Sequence, residues 1–318
     1  MSLGATLLEG HGLVICTYRR KRDLARTLGD ITACNALPEQ IVVVHGVEVK
    51  EQTALPQNAS DSTAAVQHLY CEPGLTKQRN AGINALGNHI HTVHFIDDDF
   101  SPAPTYFSAL AAHFDHHPEA IGAGGVFDPL QQPSSIGFWK RLFLLDSLKP
   151  GIFLGSGQTS ESQARADLLS PDFTEVEWLS GCSFSFRRSL FDSERFNEAL
   201  TGAAIDEDLE FCLRAGKQGI LHSVSAARGL HRKSSATRSD RAQAKYQGYL
   251  HRFWILMQHK PGMVSELKFL WGLMGSLLAL KLNPHDNSDL IRATFAALRA
   301  ILQDKKKPDK LLNRSLPG

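Results

Sequence analysis

The stretch His91-Thr92-Val93-His94-Phe95-Ile96-Asp97-Asp98-Asp99 decides the fold. Residues 91–96 are predicted to form a strand, and three aspartates follow it without a break. In open α/β sheets, ligands bind beyond the carboxyl ends of the strands. The position of the aspartates therefore predicts a ligand site at this end of the strand.

Strand and helix signals alternate over the residues before that stretch. Short apolar runs rich in β-branched residues predict the strands, and apolar residues at helical spacing predict the helices. The predicted strands are 12–17, 40–45 and 66–70, and the predicted helices are 20–36 and 77–86. This alternation predicts an α/β fold with a mostly parallel, Rossmann-like sheet and helices on both of its faces. Thr17 and His45 then lie at strand ends, as the aspartates do.

The rest of the chain has a different pattern. Residues 128–175 are rich in Gly, Pro, Ser and Gln and are predicted to form loops, and a strand is predicted at 177–186. A helix is predicted at 207–215, and the pattern is helical from residue 238 onward. The predicted parts of the chain are 1–127, 128–235 and a helical C-terminal extension at 236–318.

Composition sets limits on the partners and on the compartment. Lys and Arg total 34 against 33 Asp and Glu, which gives a formal charge of +1 and predicts no binding of nucleic acid. The five cysteines are widely spaced and form no C-x-x-C pattern, so reduced cysteines in a cytosolic protein are expected. The N-terminus has no basic segment ahead of a long apolar core, and the most apolar run, 269–280, is shorter than the ~20 residues of a bilayer-spanning helix. Neither a signal peptide nor a membrane span is therefore expected.

The three aspartates carry the strongest chemical signal. On an extended chain, Asp97 and Asp99 project from one side and Asp98 projects from the other. Adjacent carboxylates repel one another, so their joint ionisation requires a cation or well-placed donors. A hard divalent cation that bridges carboxylate and phosphate oxygens meets this requirement. The alternative is a solvated acidic turn.

A second group of acids lies at the start of the predicted helix 207–215. Asp206, Glu207 and Asp208 are consecutive there. Acids in a first helical turn are stabilised by capping and by the helix dipole, which accounts for Asp206 without any function. Three acids exceed that need, so one of them is a candidate general base.

Two basic segments are weaker signals. Lys77 and Arg79 lie near a predicted helix start after Gly74, where both could donate to phosphate or base oxygens. A surface helix would begin in a similar way. His231 follows the apolar residues 220–227, and a lone histidine of this kind is either structural or a ligand.

In this order and spacing, the segments resemble the family 2 glycosyltransferases with the GT-A fold. The resemblance covers residues 11–235, and it implies an inverting transferase that takes a sugar from a nucleoside diphosphate donor. It makes 1–127 the nucleotide-sugar-binding half and 128–235 the acceptor-binding and catalytic half. The matching segments are Thr17-Tyr18-Arg19, Lys77-Gln78-Arg79-Asn80-Ala81-Gly82, Phe95-Ile96-Asp97-Asp98-Asp99, Trp178-Leu179-Ser180-Gly181-Cys182-Ser183-Phe184, Glu207-Asp208, Arg214 and His231.

The resemblance also implies a role for each site residue. A Mg²⁺ or Mn²⁺ ion at Asp99 and His231 would neutralise the charge that builds on the departing nucleotide. In the catalytic pair Glu207 and Asp208, Asp208 would be the general base that takes the proton of the acceptor hydroxyl. The implied nucleotide-binding residues are Thr17, Arg19, His45, Lys77, Arg79, Asp97 and Asp98. The implied acceptor-binding residues are Trp178, Gly181 and Asp206.

One position departs from the family pattern. The second strand of the family usually ends in an aspartate that contacts the nucleotide base, whereas His45-Gly46 stands there in this sequence. Uridine, deoxythymidine and guanosine donors therefore stay open. The assignments within the two acidic groups also stay open, because Asp98 can replace either neighbour and Asp206 can replace Asp208.

Partners and other functions follow from the resemblance and from the C-terminus. The expected acceptor is a glycan or glycolipid of polysaccharide biosynthesis, and the expected location is the cytoplasm. For the C-terminal helices, peripheral contact with the cytoplasmic face of a membrane, packing against the catalytic domain and homo-oligomer formation are open.

Two alternative functions are weighed against the transferase. A sugar-nucleotide nucleotidyltransferase should have a glycine-rich, basic loop after its first strand, and residues 17–22 are basic without a glycine. A non-catalytic sugar-binding or scaffold subunit would not require the acids and His231, all of which are present.

Overall fold

The computed structural model describes residues 5–48, 66–128, 138–160, 172–201, 204–232, 241–282, 286–312 and 314–317. The strands in these ranges are β1 (Thr6–Thr17), β2 (Ala36–Gly46), β3 (Val66–Cys71), β4 (Thr92–Asp97), β5 (Phe100–Pro102), β6 (Ala120–Asp128), β7 (Phe173–Val176), β8 (Ser183–Arg187) and β9 (Ile220–His231). The α-helices are α1 (Lys21–Ile31), α2 (Leu75–Ala85), α3 (Tyr106–His116), α4 (Phe138–Leu142), α5 (Glu207–Ala215), α6 (Arg241–His259), α7 (Met263–Leu282) and α8 (Ser288–Asp304). Short 3-10 helices span Arg188–Asp192 and Pro308–Leu311.

The chain forms two compact units. The first comprises Met1–Gln132, Ser162–Glu198 and Glu207–Ala236, and the second comprises Pro133–Glu161, Ala199–Asp206 and Thr237–Gly318. The first unit draws strands from both of the first two predicted parts, and the helical extension lies in the second unit. The boundaries at 127 and 235 stay a prediction.

The first unit is built on one sheet. Eight of the nine strands that the structure describes follow the order β3-β2-β1-β4-β8-β6-β9-β5, and the ninth, β7, pairs with β9. The strand pairings make β1, β2, β3, β4, β6 and β9 run in one direction, while β5, β7 and β8 run in the other. The prediction of a mostly parallel α/β sheet is thus confirmed.

Register in this sheet places three predicted residues at one edge. Thr17 of β1 pairs with His45 of β2, and Cys16 of β1 pairs with Asp97 of β4. All three strands are parallel, so their carboxyl ends lie side by side. The polar strand ends read from the sequence therefore meet at a common edge.

Apolar packing covers both faces of the sheet. Leu13, Val14 and Ile15 of β1 are at most 1% exposed, which is typical of a central parallel strand covered on both faces. Val14 packs in the cluster that includes Ile83 of α2, and its two neighbours pack in the cluster with residues of α1 and α3. At Gly82 of α2 a Cβ would lie 2.4 Å from Val14 Cγ1, so glycine allows this helix to approach the sheet.

The second unit is helical, as predicted for the C-terminal extension. Its described elements are α4, α6, α7 and α8, with the short helix Pro308–Leu311. The expectation that no helix is long enough to span a membrane is wrong for α7. This helix has 20 residues, extends beyond the apolar run 269–280 at both ends, and is long and apolar enough to cross a bilayer, with 22% of its apolar window buried.

Two local predictions need correction. The strand predicted at 177–186 begins only at Ser183, because the Gly181 N–H is bonded to the Asp208 side chain and the Ser183 N–H to the Ser180 carbonyl. Residues 177–182 are therefore a loop, which holds Trp178 and Gly181. The predicted loop region 128–175 contains the short helix α4 and strand β7 within its described part, and residues 129–137 and 161–171 lie outside the described residues.

Candidate functional site

The three aspartates occupy different environments at the end of β4. Asp97 has a side chain that is 32% exposed, whereas Asp98 and Asp99 are each 2% exposed. Thr17 Oγ1 donates to Asp98 Oδ2 at 2.7 Å, and Arg20 Nη1 donates to Asp98 Oδ1 at 2.7 Å. Burial raises the pKa of Asp98 to about 7, and the bond from Thr17 and the charge of Arg20 oppose this rise. Asp98 thus anchors the strand end, and its role toward a nucleotide stays a prediction.

Arg20 is a site residue that the sequence analysis missed. Its Nη2 lies 2.5 Å from Asp99 Oδ2, so one guanidinium contacts two of the three acids. The predicted residue, Arg19, is exposed, lies over the Tyr18 ring at 5.1 Å and has a positive φ of 58°. That backbone turn directs successive side chains differently, and spacing alone did not distinguish the two arginines.

Asp97, Asp99 and His231 form a group suited to a divalent cation. One ligand atom from each lies within 4.8 Å of the others. His231 Nε2 is 3.1 Å from Asp99 Oδ1 and 3.8 Å from Asp97 Oδ2. The pairing of Phe100 in β5 with His231 in β9 places the histidine beside the acids.

The chemistry of this donor set fits the metals that were expected. Two carboxylates and one imidazole suit Mn²⁺, and the carboxylates suit Mg²⁺. Burial raises the pKa of Asp97, against the opposing charges of Arg79 and His231, and the neighbouring charge of Asp99 adds to the rise. A cation at this position would offset that repulsion between carboxylates.

Arg79 connects the metal group to the second acidic group. It lies on α2 and is 2% exposed. Its Nη1 is 2.5 Å from Glu207 Oε1, its Nη2 donates to the Gly181 carbonyl at 2.8 Å, and Nη2 lies 3.9 Å from Asp97 Oδ1. All three of these partners of Arg79 are groups of the protein itself. The expected nucleotide contact of Arg79 stays a prediction.

Glu207 and Asp208 differ in burial and in partners. Glu207 is 5% exposed, and burial raises its pKa, although the charge of Arg79 beside it opposes the rise. Asp208 is half-buried, and its Oδ2 accepts the Gly181 N–H at 2.8 Å while its Oδ1 accepts the Leu209 N–H at 2.8 Å. Asp208 is therefore an oriented carboxylate at the start of α5, whereas Glu207 is part of the buried ion pair.

Three other predicted nucleotide-binding residues have partners within the protein. Thr17 is bound to Asp98, as described, and Lys77 forms an exposed ion pair with Glu72 at 2.7 Å. His45 Nε2 is 2.8 Å from His68 Nδ1, and its ring stacks on Tyr70 with the ring centres 4.8 Å apart. Burial, followed by the charges of His68 and Lys21, lowers the pKa of His45 to about 4. His68 and Tyr70 are further residues at this edge that the sequence analysis did not name.

The predicted acceptor-side residues do not all lie in one unit. Trp178 is half-buried and packs against the apolar cluster of the first unit, and Gly181 joins Arg79 to Asp208 as described. Asp206 belongs to the second unit, where Arg252 Nη2 donates to its Oδ1 at 2.9 Å. The acceptor roles of all three stay predictions.

Comparison with solved structures shows the fold of the chain. It is similar to residues 1–349 of S. aureus TarS in complex with UDP-GlcNAc, with 14% identity over 94% of this chain and 88% of that one and a TM-score of 0.52. It is also similar to the mannosyltransferase PcManGT from Pyrobaculum calidifontis in complex with GDP-Man and Mn²⁺, with 13% identity over 96% and 85% of the two chains and a TM-score of 0.51. No protein-family model and no curated protein matches the sequence. The predicted GT-A fold is confirmed by these likenesses.

Proposed function

We propose that this protein is an inverting, metal-dependent glycosyltransferase that moves a sugar from a nucleoside diphosphate to a hydroxyl acceptor. The observation that carries the proposal is the joining of two groups at one end of a GT-A sheet. Asp97, Asp99 and His231 form the first group, and Glu207 and Asp208 form the second. Arg79 lies between them, in contact with both Asp97 and Glu207.

The residues divide the chemistry between them. Asp99 and His231, with Asp97, would hold the Mg²⁺ or Mn²⁺ ion, which when bound supplies positive charge to the diphosphate leaving group. Asp208 accepts the proton of the acceptor hydroxyl as that oxygen attacks the anomeric carbon. The N–H groups of Gly181 and Leu209 hold its carboxylate in place for this step. A single displacement assisted by such a base inverts the anomeric configuration.

Glu207 acts on Asp208 through Arg79 and Gly181. It is buried against Arg79, and Arg79 in turn holds the carbonyl of Gly181. The N–H of the same glycine binds Asp208, so the ion pair positions the peptide that orients the base. Glu207 is thus a positioning residue, and Asp208 is the catalytic base.

The nucleotide base would be contacted at the ends of β2 and β3. The similar solved structures hold UDP-GlcNAc and GDP-Man, and both contain a nucleoside diphosphate. In this chain the β2 end presents His45, which stacks on Tyr70 and contacts His68. The neutral rings of His45 and Tyr70 are suited to stack on the nucleotide base. Stacking would replace the contact that an aspartate makes with the base in the family pattern. The donors that fit this reading are uridine, deoxythymidine and guanosine diphosphate sugars.

The proposed acceptor is a glycan or glycolipid, and the proposed setting is polysaccharide biosynthesis in the cytoplasm. Trp178 supports a carbohydrate acceptor, because an aromatic ring on the loop that also holds Gly181 is suited to stack on a sugar.

Donor binding is the direct test. The melting temperature of the full chain is measured with UDP, dTDP and GDP, each with EDTA or with Mn²⁺, and one nucleotide is expected to stabilise the protein only with Mn²⁺. Asp99→Asn should abolish this shift, whereas the matched variant Asp192→Asn, at an exposed aspartate, should keep it.

Turnover assays separate the alternative functions. A nucleotidyltransferase would consume a nucleoside triphosphate and a sugar 1-phosphate and release pyrophosphate. A non-catalytic subunit would bind a donor without turning it over in the presence of any glycan or glycolipid fraction. Absence of a shift with every nucleotide would contradict the proposal.

A further inference from the structure

Helices α4 and α7 of the second unit share an exposed apolar surface. Its exposed side chains include Phe138 (68%), Trp139 (62%), Met263 (74%), Leu267 (59%), Met274 (45%) and Leu282 (76%). The two helices are in contact, since Trp271 Nε1 donates to the Leu142 carbonyl at 2.7 Å and the rings of Phe143 and Trp271 stack with centres 4.9 Å apart. We call this continuous region the α4–α7 surface.

The exposed residues of α7 form one stripe along the helix. Met263, Leu267, Met274 and Leu282 follow one another at spacings of four, seven and eight residues. These spacings place them on one face of the helix. The buried residues Phe269, Gly272, Leu273 and Gly275 lie on the face that packs within the second unit. One face of α7 therefore packs against the second unit. The other face presents an exposed apolar patch of the kind that marks an interaction site.

The charges of this surface are mainly positive. Helices α4 and α7 carry the cations Lys140, Arg141, Lys268 and Lys281 and one acid, Glu266. Glu266 is already paired with Lys305, whose Nζ lies 2.9 Å from its Oε2. Exposed Trp and Phe next to Lys and Arg suit the headgroup region of an anionic bilayer, where the rings enter the interface and the cations contact phosphate.

We propose that the α4–α7 surface docks the second unit on an anionic lipid bilayer, with α7 lying in the plane of the interface. A second copy of the chain is a less suitable partner, because a two-fold contact would place the same cations opposite one another. The docking proposal is argued only from the α4–α7 surface and does not depend on the proposed function. If the protein is a glycosyltransferase, docking on a bilayer favours a lipid-linked acceptor, and this corollary rests on the proposed function.

Helix α7 lies on the bilayer in this proposal and does not span it. To span, it would have to leave its contacts within the second unit, where Phe269 packs on Phe253 and Gly275 lies against Phe143. It would also carry Glu266, Lys268 and Lys281 into or across the hydrocarbon core.

Flotation of the full chain with vesicles tests the docking. Vesicles of phosphatidylcholine alone are compared with vesicles that also contain phosphatidylglycerol. The protein is expected to float with the anionic vesicles, to float less in high salt, and to be released by alkaline carbonate.

Paired variants test which residues carry the binding. Because each cation near an anionic surface strengthens partitioning roughly five-fold, Lys140→Gln with Arg141→Gln should weaken binding ~30-fold. Phe138→Ser with Trp139→Ser should remove binding to the anionic vesicles. Leu7→Ser, at a 49% exposed leucine of the first unit, is the control and should bind as wild type. A cooperative thermal unfolding transition like that of wild type shows that each variant is folded.

Several outcomes would overturn the proposal. These are equal flotation of all variants, no flotation with either vesicle, and resistance to carbonate, which indicates a spanning helix. Dimerisation that is lost in the Phe138→Ser, Trp139→Ser variant without lipid binding would assign the surface to a second copy. Flotation by a protein that binds no nucleotide would leave the docking intact and refute the proposed function.

Discussion

Arg79 and Glu207 form an ion pair between two elements of the site. Nη1 of the arginine is 2.5 Å from Oε1 of the glutamate, and the two residues are only 2% and 5% exposed. Burial opposes the charged form of Arg79, but the charges of Glu207 and Asp97 together with the hydrogen bond to Glu207 raise its pKa overall. The arginine therefore stays charged, and removal of either partner leaves the other without its buried counterpart.

The first prediction concerns the stability of this pair. Arg79→Met should lower the free energy of unfolding by about 3–5 kcal/mol, because Glu207 would lose its counter-charge in a buried site. The double variant with Glu207→Leu should lose less than the sum of the single variants. Urea denaturation measures both effects. Lys77→Met, on the same helix but in an exposed ion pair with Glu72, is the matched control and should change little. Additive effects of the two single variants would contradict a coupled pair.

The second prediction concerns Gly181. A Cβ at this position would lie 2.8 Å from Glu207 Oε1 and 3.1 Å from Arg79 Nη2, and both atoms belong to the buried ion pair. Gly181→Ala should therefore lower the free energy of unfolding by about 1–3 kcal/mol and displace the N–H that orients Asp208. Denaturation and turnover assays check the two effects.

A glycine on the surface of a helix provides the control for that variant. At Gly29 of α1 a Cβ would meet nothing within 4 Å, so Gly29→Ala should raise stability by about 0.5–1 kcal/mol. Equal effects of the two substitutions would show that space around Gly181 is not limiting.

Local sequence patterns predicted much of the site but not its side-chain partners. The end of β4 is predicted by an apolar run that acids follow, and the start of α5 is predicted by acids ahead of an apolar stripe. Both signals are local in the sequence. The choice of Arg20 over Arg19 depends on the positive φ of Arg19, which composition does not show. The place of His231 depends on the antiparallel pairing of β5 with β9, a long-range register that no local pattern encodes.

The C-terminal helices show the same limit in another form. Helical periodicity correctly predicted a helical region, but α7 is apolar on nearly all sides, so its sequence does not reveal which face is buried. Tertiary contacts define its inner face, among them those of Phe253 with Phe269 and of Phe143 with Gly275. The exposed face, and with it the α4–α7 surface, emerges from tertiary packing alone.

The third prediction concerns the base. Asp208→Asn should reduce transfer by roughly 10²–10⁴-fold, because the amide cannot accept the proton of the acceptor hydroxyl. Donor affinity should stay nearly unchanged, since Asp208 acts on the acceptor. Turnover with saturating donor and the nucleotide-dependent melting shift measure the two quantities.

A neighbouring acid provides the control for the base. Asp206→Asn alters an aspartate that is bound by Arg252 in the second unit. Loss of an acceptor contact costs less than loss of the base, so this variant should retain more transfer activity than Asp208→Asn. If Asp208→Asn were fully active and Asp206→Asn inactive, the assignment of the base would shift to Asp206.

The fourth prediction concerns the pH dependence of stability at His45. Burial, then His68 and Lys21, lower its pKa from 6.5 to about 4, so the folded protein keeps this ring neutral while the unfolded chain takes up a proton below pH 6.5. The unfolded state then binds more protons, and the free energy of unfolding should fall as the pH falls from 6.5 to 4, by at most about 1.4 kcal/mol per pH unit from this residue.

In urea denaturation at pH 7 and pH 5, His45→Gln should lose less stability on acidification than wild type. His116→Gln, at an exposed histidine of α3, should follow wild type. An unchanged pH dependence in His45→Gln would show that the ring is already protonated in the folded protein at pH 5, and would remove the basis for a neutral stacking surface at the end of β2.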